Sequence, residues 1–358
     1  MSIPILYRYL WGSVIRGYLP VIAILLAVLR LFVFVEEVDE VGNGRYTFWA
    51  AGEFVLLTLP QRFVVLSPFI ALLGSIMALG GLANGRELLA MQAGGFSHYQ
   101  IGWAVLQVGV VFVVIVACLE EYVTPTLDQY AHISRSLALS NSQVYQGKEG
   151  LWFREDNRYI RIKTLEYGEI PHDIDIYEFN RDGAMVVYLY AEEADVQNPQ
   201  KWILKNIQKK VIQGPRVSEQ TLSSLVWDSP FNREEMRLLT LPPSSLAPSD
   251  LFRYIGILER KKQNVQRYEL AFWDKIFMPL KTGFMILVAL PFAFGPLRSA
   301  TAGKRIMLGG LVGIGYYLTT EILENVGILL GASALLTTAI PFLGIVLATG
   351  ILWWVYFS

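Results

Sequence analysis

Arg30, Arg62, His132, Arg135 and Lys281 are basic side chains set inside or beside long apolar stretches. A cation at membrane depth is costly, so it either meets an anion or turns back to water. Arg30 lies about five residues, roughly 8 Å, inside the far end of the first apolar run. Lys281 sits about nine residues after Phe272, at comparable or greater depth in the fourth run. Phosphate at an interface is an anion that guanidinium and ammonium groups bind well. Snorkelling of each side chain to water explains the same positions. His132 precedes Arg135 by one helical turn and would add a polar contact, while a solvated arginine at a domain base is the simpler account of Arg135. The acids Glu36, Glu37, Asp39 and Glu40 beyond the first run would repel phosphate unless divalent cations bridge them.

The segment Asn84-Gly-Arg-Glu-Leu-Leu-Ala-Met-Gln-Ala-Gly-Gly95 holds a second kind of signal. Glu87, Leu88, Met91 and Gln92 share one face of a two-turn helix bounded by Gly85 and Gly94-Gly95. An acid and a flexible Met on one face suit docking into a partner's groove. A capped connector lying on the membrane accounts for the same residues. Enzymatic chemistry has little support. The spans hold no paired Asp, no Ser/His pair and no metal-ligand cluster. Cys118 is the only cysteine and reads as a small packing residue; His98, His132 and His172 are scattered, so neither metal nor cofactor is expected. Gly303-Lys304-Arg305 lacks the upstream glycine and the Ser or Thr of a phosphate loop, so ATP hydrolysis is not expected here.

The elements that must position these residues follow from hydropathy. Apolar residues make up 53% of the chain, charged residues 17%, and the mean hydropathy is +0.40, as in polytopic membrane proteins. The net charge of -1, with no basic tail, excludes a nucleic-acid partner. Membrane-length runs occupy Gly17–Val35, Phe63–Ala83, Ile101–Leu119, Phe272–Phe294, Ile306–Leu323 and Leu335–Tyr356, and each must be a helix in lipid. The first is too long for a signal core and no small-residue cleavage site follows, so it reads as a retained span. Arg8, Arg16, Arg86, Arg298, Lys304 and Arg305 fall on one side, which predicts cytoplasmic termini. Gly74 to Ala78, Gly81 to Gly85 and Gly309 to Gly313 have small-xxx-small spacing, suited to internal packing or to a subunit seam. Pro68 and Pro291 predict kinks, and Glu321 with Glu324 an outer polar cap.

The chain thus divides into 1–124 (three spans and a cytoplasmic helix at about 84–95), an aqueous insert at 125–248, and 249–358 (a linker helix and three spans). The insert reads as β structure. Arg158-Tyr-Ile-Arg-Ile-Lys163 and Asp173-Ile-Asp-Ile176 alternate at period two, Asp182-Gly183 marks a hairpin, and Gly168, Asn198-Pro199 and Gly214-Pro215 punctuate further strands. The expected fold is an integral-membrane six-helix protein with an inserted all-β sandwich or jelly roll. Leu241 to Ser249 is a linker, and Ser249 or Asp250 caps an amphipathic helix over Leu251–Lys262.

The strings "GRELLAMQAGG", "RYELAFWDKIFMPL" (267–280) and "FGPLRS" (294–299) resemble the lipopolysaccharide-export permease family, LptF/LptG. The likeness covers essentially the whole chain, and the last two strings point to the LptG branch. It implies a heterodimer with an LptF-like subunit, an LptB-like ATPase dimer in the cytoplasm, an LptC-like protein adding one helix, and lipopolysaccharide as cargo drawn from the outer leaflet of the inner membrane. It also implies that the helix at 84–95 couples to the ATPase through Glu87, with Arg86, Leu88, Met91 and Gln92 around it, and that Arg135 faces cargo. Family members often carry lysines beyond the first span, where this chain has acids. An LptF-type paralogue and a membrane-anchored periplasmic scaffold without transport activity are the rival readings.

Overall fold

A computed structural model describes residues 5–139, 144–155, 157–166, 170–180, 183–198, 201–214, 216–228, 242–260, 265–294 and 301–357. Six helices among them are long and apolar enough to cross a membrane. They are α1 (Ile5–Asp39), α3 (Leu59–Asn84), α5 (His98–Cys118, continuing through a π-helical turn Leu119–Val123 into α6, Thr124–Leu139), α8 (Gln266–Phe294), α9 (Ala302–Leu329) and α10 (Ala334–Phe357). Each contains one of the six expected spans. Two short helices flank α3: α2 (Phe48–Leu57), which hydropathy did not separate from a loop, and α4 (Glu87–Ala93). An amphipathic α7 (Pro248–Arg260) precedes α8 and buries Leu251, Tyr254 and Leu258 along one face. The "FGPLRS" string lies outside the described residues beyond Phe294, as does Arg298.

Two compact units make up the chain. The first comprises Met1–Val33, Thr58–Pro125 and Gln266–Ser358; the second comprises Phe34–Leu57 and Thr126–Val265. At the centre of the first is α3, whose Val64, Ile70, Ala71, Leu72, Ile76 and Leu79 are almost fully buried. Buried hydroxyl pairs stitch α3 to its neighbours: Tyr18 to Ser75 at 2.8 Å and Ser67 to Thr282 at 2.7 Å. Small residues bring the backbones close. A Cβ on Gly17 would lie 2.6 Å from that of Ala78, and one on Gly313 would lie 2.8 Å from the Phe69 ring. The Gly74–Ala78 and Gly309–Gly313 pairs therefore pack within this chain.

The second unit carries a six-stranded antiparallel sheet: β1 (Val144–Glu155), β2 (Arg158–Glu166), β3 (Ile170–Phe179), β4 (Met185–Asn198), β5 (Lys201–Gln213) and β6 (Arg216–Asp228), paired in sequence order. The inserted β domain matches the expectation. Its topology is simpler than the expected sandwich or jelly roll, because the described strands form one up-and-down meander. The cause is connection length. β4 ends at Asn198 and β5 starts at Lys201; β5 ends at Gln213 and β6 starts at Arg216. Links so short can only return the chain alongside the strand it has left. Gly183 (φ +80°) in the β3–β4 link and Gly214 (φ +61°) in the β5–β6 link supply left-handed backbone. The expected hairpin signals at Gly168, Asp182, Pro199 and Pro215 fall on residues outside those described.

One rung of paired residues, Ile162, Ile174, Ala191, Ile207 and Leu222, crosses β2 to β6 in register. Ile174, Ala191 and Ile207 within it are fully buried. Ile174→Ala should lower stability by about 3 kcal/mol, because the cavity left at a fully buried site adds to the lost transfer energy; thermal unfolding followed by β-sheet circular dichroism checks this. Elsewhere on the sheet the Tyr190 hydroxyl donates to Asp173, and this bond, with partial burial, pushes its pKa up to about 12. A phenol whose folded pKa is raised contributes stability that is complete below its unfolded value of about 10 and is lost as pH rises through the folded value. The sheet should weaken between about pH 10 and pH 12. That slope should flatten in Tyr190→Phe, measured in the same unfolding assay.

Candidate functional site

The helix α4 is built by a sharp reversal. Gly85 donates to Gly81 O at 3.1 Å, Arg86 donates to Ala83 O at 3.1 Å and adopts a left-handed φ of 57°, and α4 begins at Glu87. Leu88 (4% exposed) and Met91 (8%) enter the membrane unit's core, so they anchor the helix from beneath. Glu87 stands at the edge, half-buried, and its Oε2 accepts the Tyr9 hydroxyl at 2.6 Å. Gln92 is also half-buried; Arg86, Leu89, Ala90 and Ala93 are exposed. The surface offered outward is therefore Arg86, Leu89, Ala90 and Ala93 with Glu87 at its margin. Leu89, 44% exposed, was not singled out by the sequence, because periodicity alone does not tell which apolar residue of a two-turn helix faces in.

The five basic residues divide between the two units. In the first, Arg30 is buried (7% exposed) and does not snorkel. Its Nη1 donates to Thr58 Oγ1 at 2.9 Å and its Nη2 to the Thr58 carbonyl. The Arg62 backbone N–H donates to that same carbonyl at 3.4 Å. The Arg30 side chain and the Arg62 backbone thus share Thr58 at the start of α3, while the Arg62 side chain is exposed. Lys281 is 3% exposed and its Nζ lies 2.5 Å from Asp274 Oδ1. It borders a cavity of about 190 Å³ that Asp274, Glu321 and Glu324 also line. Those acids leave the cavity no net attraction for phosphate. Beyond Tyr316, an apolar cavity of about 640 Å³ lies between α8, α9 and α10, walled by residues such as Val288, Phe292, Leu323 and Ile345.

In the second unit, Arg135 Nε donates to Glu37 Oε2 at 2.7 Å, Tyr46 donates to the same carboxylate at 2.7 Å, and the guanidinium lies 5.5 Å from the Phe54 ring centroid. Desolvation, reinforced by the bond to Glu37, raises the Tyr46 pKa, so the phenol stays a donor. At least one of the acids beyond the first span is thus neutralised by an arginine. His132 lies 3.6 Å from the buried Asp128 and edge-on to Phe54. Among the described residues no group of three or more His, Cys, Asp or Glu could hold a metal ion.

Glu120 and Arg305 are buried charges that hydropathy places in water. Glu120, 5% exposed, takes the Lys275 ammonium at 2.9 Å. The reading placed Glu120 just past a span, whereas the helix continues and its π-turn rolls Glu120 onto α8. Arg305 was counted as a loop charge, yet it is 2% exposed in the first turn of α9. Its spacing of four from Gly309 was the available signal.

Comparison with known proteins settles the ancestry of this architecture. The family described as lipopolysaccharide export system permease LptF/LptG matches residues 8–356. The chain belongs to that family. It is 33% identical over 348 residues, 97% of this chain and 96% of the relative, to the lipopolysaccharide export system permease protein LptG of Haemophilus influenzae. It is 29% identical over 340 residues, 94% of each chain, to the protein of the same name from Escherichia coli K12. Like its family it is a multi-pass membrane protein, with a β domain inserted between its third and fourth spans. Within this LptF/LptG fold the Glu120–Lys275 pair should tolerate joint but not single removal. Glu120→Gln should cost about 3 kcal/mol by stranding a buried ammonium, and Glu120→Leu with Lys275→Met should recover most of that loss; thermal unfolding in detergent measures both.

Proposed function

We propose that this chain is the LptG-type permease subunit of a lipopolysaccharide exporter and that α4 is where the motor engages it. The observation that carries the reading is the construction of α4. Its inward residues fix it to the six-helix body, its outward face is free, and an acid stands at the margin where a partner's basic groove would close. The chain has no phosphate loop, so ATP is hydrolysed by an LptB-like dimer on the cytoplasmic side. An LptF-like subunit completes the permease, and an LptC-like protein contributes one further helix. The excess of Lys and Arg in the loops on α4's side supports an inner-membrane protein with cytoplasmic termini and a periplasmic β domain.

Lipopolysaccharide enters from the outer leaflet, its acyl chains against the outward apolar faces of α1, α3 and α9. Arg62, exposed and held at the Thr58 corner, meets a cargo phosphate; Arg30 positions that corner. Lys281, already matched by Asp274, contributes less. In the second unit, Arg135 meets a phosphate only by exchanging Glu37 for it, with His132 one helical turn before it. ATP-driven movement of α4 then collapses the site and passes cargo to the periplasmic bridge. Arg62→Glu should reduce photocrosslinking of lipopolysaccharide about tenfold, the weight of one charge-assisted hydrogen bond, while Lys281→Met leaves it nearly intact; equal crosslinking in wild type and Arg62→Glu would overturn the phosphate assignment. Glu87→Arg should abolish co-purification of the ATPase from a membrane extract. Retention of the ATPase in that variant removes α4 as the coupling element.

A further inference from the structure

Arg305 is among the largest fully buried side chains of the protein and has no place in the cargo or ATPase contacts described above. Its Nη2 donates at 2.8 Å to Oδ1 of Asn84, the last residue of α3. Its Cδ and Cζ lie so close across α3 that a Cβ on Gly80 would stand 2.6 Å from each, so the guanidinium crosses α3 only because residue 80 is glycine. Further along the same face of α9, Gly309 abuts Leu73 and Ile76, and Gly313 abuts Phe69. Arg305, Gly309 and Gly313 therefore form one stripe on α3 at a helical spacing of four. The arginine is the end of that stripe, and it sits where α3 turns into α4. Only Gly85 and Arg86 separate Asn84 from Glu87, and their backbone is pinned to the end of α3 by bonds to Gly81 and Ala83. A load on α4 reaches Asn84 across those two residues.

We propose that Arg305 is a positioning residue that clamps α9 to the α3–α4 joint, so that displacement of α4 is delivered to α9 and to the cavity walls α9 supplies. This rests on the reading of α4 as the ATPase-coupling helix. A planar guanidinium suits the role because it packs flat over a glycine and still directs an N–H at a neighbouring amide oxygen, which a lysine ammonium on a flexible stem does not do. Without the clamp, α9 still packs on α3 through Gly309 and Gly313, but its first turn is released from the joint. ATP turnover and cargo movement should then separate.

The test uses the complete exporter, with ATPase and partner permease, in nanodiscs containing lipopolysaccharide, and measures ATP hydrolysed and lipopolysaccharide released together. Asn84→Ala and Arg305→Met should keep the ATPase bound and hydrolysing, while release per ATP falls about fivefold or more, the range of one intersite coupling. Arg305→Lys should resemble Arg305→Met, and Asn84→Asp, which keeps the acceptor, should resemble wild type. Because the Asn84 residue is exposed, Asn84→Ala decides the question even where Arg305→Met fails to fold. Release per ATP unchanged in Asn84→Ala overturns the clamp, and so does an Asn84→Asp variant as uncoupled as Asn84→Ala. Retention of the ATPase by Glu87→Arg would instead overturn the α4 reading, so the two failures are distinguishable.

Discussion

Helices in lipid gain little by hiding apolar surface from one another, since the surrounding tails are as apolar as they are; they associate by close packing and by polar contacts across the interface. The rest of the membrane unit depends on how α3 meets that constraint. Gly17 on α1 lies against Ala78 of α3, Gly309 and Gly313 of α9 lie against Leu73, Ile76 and Phe69 of α3, and Gly80 admits the Arg305 guanidinium. Hydroxyl pairs at Ser75 and Ser67 add directionality. The consequence is a helix buried on most of its circumference, whose end carries α4. α4 is therefore carried by the most buried of the six described spans.

Charge is handled by the same economy of contact. Glu120 with Lys275 is a pair buried on both sides in the first unit, where buried Lys281 also meets half-buried Asp274; in the second unit buried Glu37 meets half-buried Arg135. A lone charge at such depth is expensive, and pairing removes that cost while leaving the site electrically quiet. The exposed Arg62 side chain differs from these. Of the five candidate cations, Arg30, His132, Arg135 and Lys281 are thus occupied in holding the fold.

How legible all this was depended on the range of the interaction. The six spans were readable because bilayer thickness imposes about twenty apolar residues locally. The strands were readable from period-two alternation at Arg158–Lys163. The inserted β domain was readable, but the order of its strands was not, because alternation reports a buried face and says nothing about which strand lies alongside; connection lengths set the described strands in one meander. Leu88 and Met91 share one face of α4, but only packing showed that face to be the anchored one. Arg305 and Glu120 were missed since both sit at the margins of apolar runs, where sequence assigns charge to water and the folded helix ends assign it to a neighbour.

By itself, then, the sequence determined the class, the number of spans, the presence of a β insert and the family likeness, all consequences of local hydropathy or of contiguous strings. Tertiary structure alone decided the pairing of Arg135 with Glu37, the seating of Arg30 on Thr58, and the contact of Arg305 with Asn84 across 221 positions of chain. Those depend on side chains brought together from distant segments, and no local pattern encodes which distant partner will satisfy a buried charge.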